Sequence, residues 1–79
     1  MREYTAIIMS VLLDELKIIG YQHIVCKEID DILEVEADGL KAYVYHLYLL
    51  NPQLYSVNYV LASVLRQLES EKIKRGDKM

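Results

Sequence analysis

Seventy-nine residues, a net charge of −3 and a lone cysteine bound what this chain can be. A single domain of this length buries only about 60% of its unfolded surface and gains from a partner, yet an apolar content of 53% excludes a disordered chain. The acidic balance disfavours non-specific nucleic-acid binding, which needs clustered Lys and Arg, and Cys26 alone excludes an internal disulfide or a cysteine-based zinc cluster.

The first predicted element is a helix from Thr5 to Ile19. Ile8, Leu12, Leu16 and Ile19 recur at spacings of four, four and three and share one stripe. Ile7, Met9, Val11 and Leu13 widen that stripe until little polar face remains, the pattern of a helix buried on more than one side. Gly20 is the expected stop, because it can take the left-handed conformation that ends helices. The apolar run Ala6–Leu13 is too short to span a bilayer and is broken by Asp14 and Glu15, and no signal segment opens the chain. A cytoplasmic protein without membrane contact is the expectation.

A first strand is predicted over Gln22–Glu28, centred on Ile24, Val25 and Cys26. The next two strands come from the stretch Asp31 to His46. Asp38-Gly39 between alternating apolar residues is a strong hairpin signal, since a type I′ turn needs positive φ at both central positions. With those two residues as the turn, Ala37 faces Leu40, Glu36 faces Lys41, Val35 faces Ala42, Glu34 faces Tyr43, Leu33 faces Val44, Ile32 faces Tyr45 and Asp31 faces His46. Leu33, Val35, Ala37, Leu40, Ala42 and Val44 then form the core face; Ile32, Glu34, Glu36, Lys41, Tyr43 and Tyr45 form the other. A one-residue slip would exchange the faces.

Asn51-Pro52 is expected to open the second helix, Asn as N-cap and Pro at the first helical position. Leu54, Val57, Leu61, Val64 and Leu68 follow at three, four, three and four. The helix is expected to run to about Lys72, and residues 72–79 read as a polar tail that frays. The order α-β-β-β-α over residues 1–71 predicts a single α+β domain, a three-stranded antiparallel meander with two helices packed on one face.

The chemistry-bearing residues are few. Asp31 and His46 are placed opposite one another, a pair able to orient the imidazole as a general base or simply to cap the sheet edge. Glu28, Asp30, Asp31, Glu34, Glu36 and Asp38 form an acidic run, but without calcium-loop spacing, and strand alternation sends successive carboxylates to opposite faces, so a solvated surface is expected rather than a metal site. His23 and His46 are too few for a metal site, and no cofactor is implied. The seven tyrosines carry all the aromatic surface, in the absence of Phe and Trp. Tyr is enriched at protein interfaces, where its ring is buried and its hydroxyl pairs. Ile32, Tyr43, Tyr45, Tyr55 and Tyr59 are therefore the candidate interface.

Gly20-Tyr21, Asp31-Ile32 opening a strand and the Asp38-Gly39 turn give the segment Leu12–Tyr45 a likeness to a known core. It resembles the PD-(D/E)xK superfamily of restriction endonuclease-like and Holliday-junction-resolvase-like proteins, in a degenerate form. The resemblance implies a metal-binding Asp at Asp31; the third strand, Lys41-Ala-Tyr-Val-Tyr-His-Leu47, has no Glu-x-Lys. The element order is also similar to that of a double-stranded RNA-binding domain, whose basic helix start is replaced here by Asn51-Pro-Gln-Leu-Tyr-Ser56.

Together these features predict a non-catalytic accessory protein acting through a protein–protein interface, a homodimer or a partner of a larger protein. Nucleic-acid binding by a nuclease-like fold is the alternative, and a metal-dependent nuclease with unconventional ligands is the third reading.

Overall fold

The first helix ends as its glycine demands. In the computed structural model, which describes residues 3–76, α1 spans Glu3–Ile19 and Gly20 takes φ +128°. The Tyr21 N–H donates to the Leu16 carbonyl at 3.0 Å and the Gly20 N–H to the Lys17 carbonyl at 3.1 Å, the paired bonds of a Schellman stop. Tyr21 then folds back against the core. On the stripe, Ile8, Leu12 and Leu16 are buried, whereas Ile19, at the helix end, is exposed. Ile7 and Ile18 lie on the opposite side and are open to solvent, so α1 is covered on one side only within this chain.

Three strands follow: β1 Ile24–Ile29, β2 Ile32–Ala37 and β3 Leu40–Val44, in the order β1-β2-β3, antiparallel throughout. The Asp38-Gly39 turn has φ +50° and +85°, as a type I′ connection requires. The register from Ala37↔Leu40 to Leu33↔Val44 is the one the turn predicts. All six expected core-face residues are buried, none above 7% exposed. The first strand starts at Ile24 rather than Gln22, because the backbone of Gln22 and His23 is held instead by the Asp38 carboxylate.

Beyond β3 the chain departs from expectation. A short helix, α2 His46–Leu50, follows β3 directly, and the long helix, α3 Val57–Gly76, begins six residues later than Asn51. Asn51 ends α2: its Nδ2 donates to the Leu47 carbonyl at 2.8 Å. Pro52 disfavours a helical residue before it and lacks an N–H. The N-cap of α3 is Ser56, whose Oγ accepts from the Tyr59 N–H at 3.2 Å. With this start, Val60, Val64 and Leu68 are the fully buried stripe, Val57 and Leu61 are partly buried, and Leu54 is exposed in the connection. Residues 73–76 of the expected tail continue α3; 77–79 lie outside the described residues.

The result is an α+β domain with the long helices on one face of the meander, α1 along β1 and α3 along β3. The opposite face of the sheet carries Val25, Lys27, Ile29, Ile32, Glu34, Glu36, Lys41 and Tyr43, exposed or partly so. Among the described residues no helix is long and apolar enough to cross a membrane.

Candidate functional site

The long connection and α2 bring tyrosines together. Tyr48 lies at the hub, its ring centroid 4.7 Å from Tyr55, 5.7 Å from Tyr59 and 6.5 Å from Tyr45; Tyr55 and Tyr59 are 5.3 Å apart. These tilted and edge-to-face arrangements are the favoured ones for aromatic pairs. The Tyr4 hydroxyl donates to the Tyr55 carbonyl at 2.8 Å and pins the connection to α1. Three of the five predicted interface residues thus cluster around Tyr48, which periodicity did not single out. Ile32 and Tyr43 stay apart on the open sheet face.

Burial raises the Tyr48 phenol above its ordinary value, and the neighbouring Tyr59 adds to the shift. Tyr48 therefore stays neutral at physiological pH. Burial also raises the Cys26 thiol, which stands on the core side of β1, so the thiolate that would be needed for nucleophilic chemistry is disfavoured.

From this cluster an open groove of about 670 Å³ runs between α3 and the outer edge of β3. Its α3 wall carries Tyr59, Ser63, Arg66, Ser70 and Lys74, spaced four, three, four and four along the chain. Such spacing keeps them on one side of the helix. Lys41 and Tyr43 contribute from β3 and Tyr48 from α2.

Gln67 fixes the distance between the walls. Its Oε1 accepts from the Tyr43 N–H at 2.9 Å and its Nε2 donates to the Tyr43 carbonyl at 2.9 Å. A side-chain amide thereby takes the place of a further strand at this point of the edge, which would otherwise present unpaired backbone groups. At the far end Arg75 Nη2 donates to the Gly39 carbonyl at 2.8 Å, closing the end of α3 over the hairpin turn.

The charge of this groove differs from that of the chain. Among the described residues, four of the seven basic side chains line it (Lys41, Arg66, Lys74 and Arg75) against one of the eleven acidic ones, Glu71. Elsewhere among the described residues three basic side chains stand against ten acidic ones. Glu71 lies 3.7 Å from Lys74 and offsets part of one charge. Glu34 and Glu36, the residues that weighed against a positive groove, are on the central strand and outside its lining.

Asp31 and His46 do meet: His46 Nδ1 is 3.7 Å from Asp31 Oδ2, both side chains about half exposed. The contact ties the β1–β2 turn to the start of α2. Among the described residues no group of three or more His, Cys, Asp and Glu side chains is placed to hold a metal ion.

The residues missed by sequence reasoning are Tyr48, Ser63, Arg66 and Gln67. The polar stripe from Tyr59 to Lys74 was a usable signal for Ser63 and Arg66; nothing local marks Gln67. In comparisons with known proteins, no family model, curated protein or solved structure matches the chain.

Proposed function

We propose that this chain is a non-catalytic binding protein and that the groove between α3 and β3 is its site, taking an extended anionic ligand. The observation that carries the reading is the gathering of four basic side chains in one groove of a chain whose net charge is −3. A lined cleft of one sign concentrates the field and raises the local concentration of ligands of the other sign. Lys41 and Arg66 are exposed, and no hydrogen bond ties either side chain to the rest of the described chain, so both are ready to meet a ligand. Arg75 is partly committed to Gly39, which places its guanidinium rigidly and leaves further donors free.

Heparin chromatography tests this. The protein is retained at low ionic strength and released by salt, and Arg66→Glu elutes earlier with an unchanged circular dichroism spectrum. Flow-through at low salt would remove the reading.

Self-association is a second reading, favoured by different residues. Val25 and Ile29 on the open sheet face, and Ile7 and Ile18 on α1, are each 46% exposed or more. A second copy of the chain is the occupant this reading commits to. Sedimentation at micromolar concentration distinguishes a dimer from the 9.2 kDa monomer, and a monomer alone sinks it.

A further inference from the structure

The order of rings and cations along the groove narrows the ligand class, a step that rests on the groove being an anion site. At one end stands Tyr59, a residue 46% exposed, its ring backed by Tyr55 at 5.3 Å and Tyr48 at 5.7 Å. A ring supported in this way loses little freedom when a flat partner lands on it. Arg66 stands seven residues further along α3 and Lys74 eight beyond that, on the same side, with Lys41 across from them on β3. The helical rise from Tyr59 to Lys74 is about 22 Å. Cations alone would serve any polyanion. A held aromatic face in line with them suits a polymer that carries both phosphates and flat rings. Duplexes keep their base faces stacked inside; single strands offer them, and tyrosine platforms beside basic grooves are how sequence-tolerant single-strand binders work.

The geometry points to a single strand of nucleic acid as the occupant, its phosphates on Lys41, Arg66 and Lys74 and one base stacked on Tyr59. An acidic peptide shares the charge without the rings, and a duplex shares the charge without the open faces. Both therefore become controls.

The test is fluorescence anisotropy with a labelled oligothymidine of about twelve nucleotides, within the usual site size of such grooves. A hairpin duplex, an abasic oligonucleotide of equal charge and an oligoglutamate peptide serve as competitors. The oligothymidine is expected to bind more tightly than all three. Its affinity should fall with log salt at a slope of about −1.4 to −2.8, for two to four phosphates engaged. Tyr59→Ala should weaken it about 5- to 150-fold while Tyr59→Phe keeps it. Arg66→Gln should flatten the slope by about 0.7.

If the abasic strand binds as well as oligothymidine, or a folded Tyr59→Ala variant binds unchanged, stacking is overturned while the anion-binding groove stands. If the duplex or the peptide binds as tightly, the single strand is the wrong occupant. If nothing binds at low salt, both the groove and its ligand fall. Should Tyr59→Ala fail to fold, the abasic competitor decides the matter on the unaltered protein.

Discussion

Replacing Gln67 with methionine tests how the groove is built. Methionine keeps the length and volume of the side chain but removes both bonds to Tyr43, each 2.9 Å long and partly buried. A hydrogen bond of this kind contributes about 0.5–1.5 kcal/mol net, so the pair is worth about 1–3 kcal/mol. The edge of β3 is open enough for water to reach the freed N–H and C=O, which keeps the loss below the penalty of a fully buried orphan. A value near 2 kcal/mol is expected. For 79 residues total stability is about 4–12 kcal/mol, so the change is large enough to read in urea. Gln67→Glu gives the sign of the effect. A carboxylate can still accept from the Tyr43 N–H but meets the Tyr43 carbonyl oxygen with negative charge. Its neutral form, which regains a donor, is favoured in the fold, so its folded pKa rises above the unfolded one. The destabilisation should then be greatest at neutral pH and shrink as the solution is acidified below that raised pKa. Urea unfolding gives the energy, and amide exchange at Tyr43 locates it. A loss under about 0.5 kcal/mol for Gln67→Met, with Tyr43 exchange unchanged, would refute the edge-capping role.

Two further perturbations probe the ends of the fold. The Asp38 carboxylate accepts from the His23 N–H at 2.7 Å and from the Gln22 N–H at 3.2 Å, and these bonds hold its pKa below the ordinary aspartate value. A depressed folded pKa means stability that is present above the unfolded value and lost as pH falls through the folded one. The advantage of the parent over Asp38→Asn should therefore be full at neutral pH and vanish on titration below about pH 4; a difference independent of pH would refute the carboxylate's role. Ser56→Ala removes the cap that accepts from the Tyr59 N–H and should cost about 1 kcal/mol, with faster exchange at the Tyr59 amide. An unchanged melting temperature would refute the capping role of Ser56.

The sheet was legible because two independent signals agreed. Asp38-Gly39 set the turn, and the alternation from Leu33 to Val44 put every apolar residue on the same side for that turn. Gly20 was legible for a similar reason, since a residue with positive φ follows the last apolar turn of α1. The region after β3 was not. Asn51-Pro52 carries local preferences that suit the start of a helix, but Asn51 spends its side chain on the Leu47 carbonyl behind it, and Ser56 takes the cap. The five residues of α2, His-Leu-Tyr-Leu-Leu, are too short to show a helical period. Residues 73–76 read as tail because their anchor is distant: Arg75 bonds a carbonyl 36 residues away. Gln67 and Tyr43 are likewise 24 residues apart and joined through backbone atoms, which leave no trace in composition or spacing.

Net charge and the local field at a surface are different quantities. A whole-chain sum weighs Glu34 or Asp14 equally with Arg66, whereas the field felt by a ligand is set within about a Debye length, roughly 8–10 Å in physiological salt. Along the α3 groove, which spans about 22 Å from Tyr59 to Lys74, the lining charges are mostly positive, with Glu36 paired beside Lys41 on the neighbouring strand. The anionic polymer proposed above would be steered by that local field, an effect on encounter and orientation more than on final affinity. On α3, Arg66 and Lys74 stand at helical spacing with Tyr59, Ser63 and Ser70; Glu71 shares that lining while Glu69 and Lys72 lie outside it, so the lining carries the net positive charge of the helix.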